Sequence, residues 1–207
     1  MKNSSTENKK SSLKKIIFII LGVLILVTVI TVCILGIVHK KEEEKIKREQ
    51  QQQFEQSMSG GRIDNLQWSS RSSQKMNWDS AVSYCENLNE DGHDSWRLPN
   101  IDELRTTVKN CPKTENGGEC KVSEKGDCLS SEKCGDKRSK GSCFCEYKKH
   151  NGGYYSKLGD PDGVWLWSSS VVSDEPNSRW RIGCSSGLVI HSNIATNFHV
   201  RCVLNAQ

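Results

Sequence analysis

The sequence lacks the short patterns that usually announce catalysis. It has no serine–histidine–acid constellation, no glycine-rich phosphate loop and no histidine pair at metal-ligand spacing. The five histidines (39, 93, 150, 191 and 199) are scattered. Nucleophilic, phosphoryl-transfer and metal-assisted chemistries need such groups within reach of one another. The chain is therefore read as non-catalytic and as carrying no cofactor. Net charge is also missing once the N-terminus is set aside. Of 29 Lys and Arg and 25 Asp and Glu, five Lys and one Glu fall in the first 38 residues, leaving 24 of each sign beyond. A cationic domain that binds nucleic acid is disfavoured by that balance.

Processing signals are equally scarce. No small-x-small cleavage site follows the apolar run before His39-Lys40-Lys41, and no lipoprotein-type context surrounds Cys33. What is present is a run of 23 uncharged residues, 16–38, long enough to span a bilayer as a helix. We read it as an uncleaved signal anchor behind a 1–15 cytoplasmic tail. Five basic residues flank each side (Lys2, Lys9, Lys10, Lys14 and Lys15 against Lys40, Lys41, Lys45, Lys47 and Arg48), so charge asymmetry does not orient it. Cysteine does. Nine of the ten cysteines follow the run, a density suited to an oxidising compartment, which places the C-terminal domain outside the cytoplasm.

Residues 39–65 are charged and Gln-rich and read as a solvated helical stalk. Glu43 with Lys47 and Glu44 with Arg48 stand at favourable i,i+4 spacing. Ser59-Gly60-Gly61 ends the helix. The globular part is expected over 66–204, opening with a strand at Leu66-Gln67-Trp68. Asn77 is placed to cap a helix over 78–89 whose Trp78, Ala81, Val82, Cys85 and Leu88 share one face.

The stretch Trp96-Arg97-Leu98-Pro99-Asn100-Ile101-Asp102-Glu103-Leu104 then makes a corner. Pro99 holds Leu98 extended. Asn100 and Glu103 have capping-box spacing for a second helix running to about Lys109. Trp96, Leu98, Ile101 and Leu104 would dock the corner on a core, and Arg97 reads as an ion-pair partner of Asp102 or Glu103. Residues 110–153 have no periodicity and hold six cysteines. Beyond them come strand-like runs at 164–168, 179–182, 187–190 and 199–204, separated by short polar turns. Two helices followed by antiparallel strands make an α+β domain.

Within the insert, local pairing of Cys111 with Cys120 and of Cys128 with Cys134 is the simplest expectation, although spacing does not fix connectivity. The intervals of 8, 7, 5, 8 and 1 residues lack the paired C-x₂₋₄-C knuckles of structural zinc. Nine is an odd number, so one cysteine is free or bridges chains. Cys184 is the candidate.

Met76-Asn77-Trp78, Ala81, Tyr84-Cys85, Trp96-Arg97-Leu98-Pro99, Glu103-Leu104, Trp167-Ser168-Ser169-Ser170, Trp180, Gly187 and Val200-Arg201-Cys202-Val203 occur in an order that resembles a bacterial domain. This domain of unknown function is shared with the C-terminal domain of the Legionella collagen-like adhesin. The resemblance covers roughly 66–204. It implies a relative of the C-type-lectin-like and formylglycine-generating-enzyme-like folds, and with it non-catalytic binding at a bacterial surface.

The same resemblance implies a Cys85–Cys202 bridge tying the start of the domain to its end. Glu175-Pro176-Asn177 matches the tripeptide with which sugar-binding C-type lectins hold Ca²⁺. The Trp-Asn-Asp that usually completes the site is absent, and Asp174-Glu175-Pro176-Asn177 is also an ordinary turn sequence. Arg97, Arg201, Trp96, Trp165, Trp167 and Trp180 are read as structural before ligand-binding. The resulting expectation is a membrane-anchored adhesion module. Its partner would be an extracellular glycan or a surface protein, met by the stapled insert and neighbouring loops. Two other readings are a homo-oligomeric envelope component joined through an interchain cysteine, and a thiol oxidoreductase using Cys143 or Cys145.

Overall fold

A computed structural model describes residues 4–135, 143–148 and 153–205. The chain forms two compact units, residues 1–51 and 52–207. Helix α1 (Ser4–Met58) makes up the first and ends in the second, at the expected Ser59-Gly60 break. Exposed pairs join His39 to Glu43 and Lys45 to Glu49. Glu43 thus faces back to His39 rather than forward to Lys47, and Arg48 reaches only the carbonyl of Glu44. Such exposed pairs add little. Among the described residues no helix is long and apolar enough to cross a membrane. Several side chains of the 16–38 run (16–20, 22, 23, 25 and 29) lie outside the described residues.

The second unit is α+β, with two antiparallel three-stranded sheets. The first orders β1 (Gly61–Ile63), β2 (Leu66–Trp68) and β6 (Val203–Asn205) as β1-β2-β6. Its outer strand, β1, falls in what the sequence suggested was the end of the stalk. A turn at Asp64-Asn65, with Asp64 at φ 53°, folds that stretch onto β2. The second sheet orders β3 (Trp165–Val172), β4 (Glu175–Gly183) and β5 (Leu188–Asn193) sequentially. Glu175-Pro176-Asn177 belongs to β4 and is not a loop; the turn is only Ser173-Asp174.

Helix α2 (Trp78–Glu86) starts where the Asn77 side chain accepts from Ser80 N at 2.9 Å. It buries Ala81 and Cys85. It stops three residues earlier than expected because the Asn87 amide turns back to Ser83 O, at 2.7 Å. Helix α3 (Ile101–Thr106) carries the full capping box between Asn100 and Glu103. It too ends early, for Thr106 and Thr107 hydroxyls bond back to Glu103 O and Leu104 O, competing with the helical ladder. Val108 then bridges Ser156 instead of continuing the helix.

Two apolar clusters fill the unit. One gathers Trp68, Ile101, Leu104, Trp180, Ile182 and the cysteines of the insert. The other gathers Ala81, Cys85, Trp96, Leu98, Trp167 and Val200. The Trp96–Leu104 corner contributes to both. Its backbone is stitched to β3: Ser169 N donates to Pro99 O at 2.8 Å and Ile101 N donates to Ser170 Oγ at 2.8 Å.

Candidate binding surface

Three features decide which residues are available for binding: the disulfides, the buried charges and the outer face of the second sheet.

Cys85 on α2 is bonded to Cys202, across 117 residues. In the insert, Cys128 is bonded to Cys134. Cys111 pairs with Cys145 and Cys120 with Cys143, so the expected Cys111–Cys120 bridge is replaced by two longer ones. The reason is the path of the returning segment. Cys145 N donates to Ser186 O and Val189 N to Cys143 O, which lays 143–145 along the start of β5. Alternate residues of an extended segment face the same side, so both cysteines meet the 111–120 limb together. Cys143 and Cys145, considered as an active thiol pair, sit in separate bridges. Cys184 is the unpaired cysteine among the described residues of this unit, and it is only 4% exposed. Burial pushes its thiol well above the ordinary range. Burial of this thiol argues against Cys184 as an interchain bridge.

The insert is also held from beneath by α3. The buried Arg105 guanidinium donates to Thr114 O, Val122 O and Glu115 O at 2.8, 2.6 and 3.0 Å. Asp102 accepts from Glu124 N and Lys125 N at 2.9 and 3.1 Å and lies 3.9 Å from Arg105. Asp102 therefore serves the insert, while Arg97 makes a two-pronged pair with Glu103 at 2.7 and 2.5 Å, which raises the Arg97 pKa.

Arg201 is fully buried. Its Nε and Nη2 donate to Asp160, at 2.7 Å for the shortest bond, and Nη1 donates to Ser59 O and Ser69 O. Arg71 joins Asp160 at 3.2 Å and Ser156 Oγ donates to it at 3.1 Å. A buried guanidinium is tolerated when its donors are bonded, and all three Arg201 nitrogens are. Arg201 is structural, and Asp160, a residue no sequence motif singled out, is its counter-ion.

Glu175, the calcium candidate, accepts from Ser131 Oγ and Ser178 Oγ at 3.0 Å each, with His191 Nδ1 at 3.2 Å. The Asn177 side chain is exposed. Among the described residues no three His, Cys, Asp or Glu side chains are grouped to hold a metal ion. Neighbouring Asp174 accepts from Ser130, Ser131 and Glu132, and so folds the Cys128–Cys134 loop around its carboxylate.

The outer face of the second sheet is different. Ser178, Trp180 and Ile182 of β4 point inward and are buried, whereas Arg179 and Arg181 alternate outward. The Arg179 guanidinium lies 4.3 Å from the Trp78 ring centre, and that of Arg181 lies 3.8 Å from Trp165 and 4.3 Å from Phe198. Arg181 Nε is fixed by Ser192 Oγ at 2.7 Å. Partial burial on the rings pushes the Arg181 pKa down to about 10. The Trp165 indole rests on Gly183, where a Cβ would meet its ring carbons at 2.5–2.9 Å. Two arginines and three half-exposed rings thus form one preordered ladder. Trp96, Trp167 and Trp180 are buried, so of the tryptophans weighed as sugar platforms only Trp165 retains an exposed part. The signal was in the sequence: Arg179-x-Arg181 alternates with Trp180-x-Ile182, and period-two alternation separates an outer face from a core face.

The family comparison agrees in extent with this unit. The Lcl C-terminal domain family matches residues 61–204. The chain belongs to that family. The match begins at β1 and ends within β6, so the ladder, the insert and all four disulfides lie inside the Lcl C-terminal domain. A comparison with curated proteins finds no match.

Proposed function

We propose that this chain is a single-pass membrane protein whose Lcl C-terminal domain stands outside the cytoplasm and acts, without catalysis, as a lectin-like adhesion module. Family membership over 61–204 is the observation that carries the adhesive reading. Four disulfides fit an extracellular domain. The anchor is supported by the uncharged 16–38 run and by exposed apolar side chains on α1, among them Val32 at 68% and Leu35 at 67%. In water such a surface would be costly. The ligand class is an extracellular glycan, met by the Arg179–Arg181 ladder and Trp165. Half-exposed rings stack on sugar faces, and ring-held guanidinium groups donate to hydroxyl or acidic oxygens in fixed directions.

A glycan array probed with the full-length protein in detergent micelles, with calcium and with chelator, tests this reading. Binding to a defined glycan set supports it. Binding to no glycan in either condition refutes the ligand class. Protease shaving of intact cells tests the topology: the 61–204 fragment should be lost from outside while the N-terminal tail remains protected.

A further inference from the structure

β1 is the outer strand of its sheet. Ser69 N donates to Cys202 O, and peptide groups along a strand turn alternately to opposite neighbours. Gln67 and Ser69 therefore face β6, while Leu66 and Trp68 face β1. Their partners Ile63 and Gly61 turn their peptide groups to β2. By the same alternation the N–H and C=O of Arg62 point away from the sheet. Arg62 also lines a groove of about 450 Å³, together with the rest of Ser59–Asp64 and with Lys157-Leu158. Leu158 forms its apolar floor, close enough that a Cβ on Gly61 would lie 3.2 Å from it. The side chains of Arg62 and Lys157 are both exposed at the rim, facing a single lining acid, Asp64.

We propose that this groove docks an extended, acidic peptide segment of a partner protein, which adds to β1 as a further strand. An open strand edge offers a donor and an acceptor in fixed alternation, and a polypeptide backbone returns that pattern; a polysaccharide does not. The Arg62 and Lys157 charges select carboxylate side chains on the incoming strand. The apolar floor takes an aliphatic side chain between them. Because β1 is only three residues long, few backbone bonds form and the complex is transient.

The probes are two blocked pentapeptides, Val-Glu-Val-Glu-Val and Val-Lys-Val-Lys-Val, titrated into the ¹⁵N-labelled full-length protein in detergent micelles. We expect the acidic peptide to bind at least about tenfold more tightly than the basic one and to shift the Arg62 amide resonance. Arg62→Pro removes the outward N–H at a position where an edge strand tolerates proline, and should abolish binding. Lys157→Glu should weaken the acidic peptide and favour the basic one. Equal affinity for the two peptides, an unmoved Arg62 amide, or undiminished binding by Arg62→Pro would overturn the proposal. So would Arg62-dependent self-association that the acidic peptide fails to displace. None of these outcomes bears on glycan binding at the arginine ladder, which lies on the other sheet.

Discussion

The hydroxyl of Ser170 accepts the backbone N–H of Ile101 at 2.8 Å and donates to Glu124 at 2.6 Å. One side chain on β3 thereby joins the first turn of α3 to the cysteine-rich insert. Ser170→Ala leaves a buried amide and a carboxylate oxygen without that partner. We expect a loss of about 1–3 kcal/mol in urea unfolding. Hydrogen exchange should also accelerate at Ile101 before it does elsewhere.

Asp160 is the carboxylate that Arg201 and Arg71 share in the interior. Asp160→Asn leaves two buried guanidinium groups facing a neutral amide, and should cost about 3–5 kcal/mol, because removing one partner exposes the desolvation cost of the other. Arg201→Met alone leaves the Asp160 carboxylate with fewer donors. The double variant should unfold at higher denaturant than the sum of the single effects allows.

Cys184 is buried with its pKa raised, so the folded protein should resist alkylation at that thiol up to mildly alkaline pH and accept label stoichiometrically once unfolded. Non-reducing gels of Cys184→Ser should match the parent. A disulfide-linked dimer that disappears in the variant would contradict the burial.

The Asp174 carboxylate is held below its ordinary pKa by the Glu132 amide, the Ser130 hydroxyl and the Ser131 amide. A depressed carboxylate stabilises the fold above its unfolded pKa of about 3.9 and loses that contribution as pH falls through the lower folded value. Protection of the 130–132 amides should therefore persist at pH 4 and fail only in stronger acid. In Asp174→Asn the acid-dependent step should vanish.

Much of this architecture was legible because its determinants are local. Asn77, Asn100 with Glu103, and Pro99 act within a turn of themselves, and they mark the starts of α2 and α3. The corner's apolar residues announce themselves by type. What escaped depends on partners far along the chain. Asp160 meets Arg201 across 41 residues, and Cys111 meets Cys145 across 34. Neither pairing has a short-range signature. The helix ends were misplaced for a local reason that periodicity ignores: Asn87, Thr106 and Thr107 satisfy nearby carbonyls with their own side chains. The insert was legible as stapled by its cysteines, but not as held by Arg105, whose guanidinium belongs to a helix before it.

The corner itself proves to be scaffold. Trp96 and Leu98 are packed inward, Arg97 is tied to Glu103, and Asp102 to the insert. The accessible chemistry lies on β4 and its aromatic neighbours.

The most direct test compares the parent and Trp165→Ala, both full length in detergent micelles, on the same glycan array, with thermal unfolding measured on each. Trp165 is partly exposed and belongs to neither apolar cluster, so the variant should unfold within a few degrees of the parent while its glycan signal falls by about tenfold or more, the worth of one well-placed aromatic contact. An undiminished glycan signal from a folded Trp165→Ala protein would contradict the assignment of the binding surface to the arginine ladder.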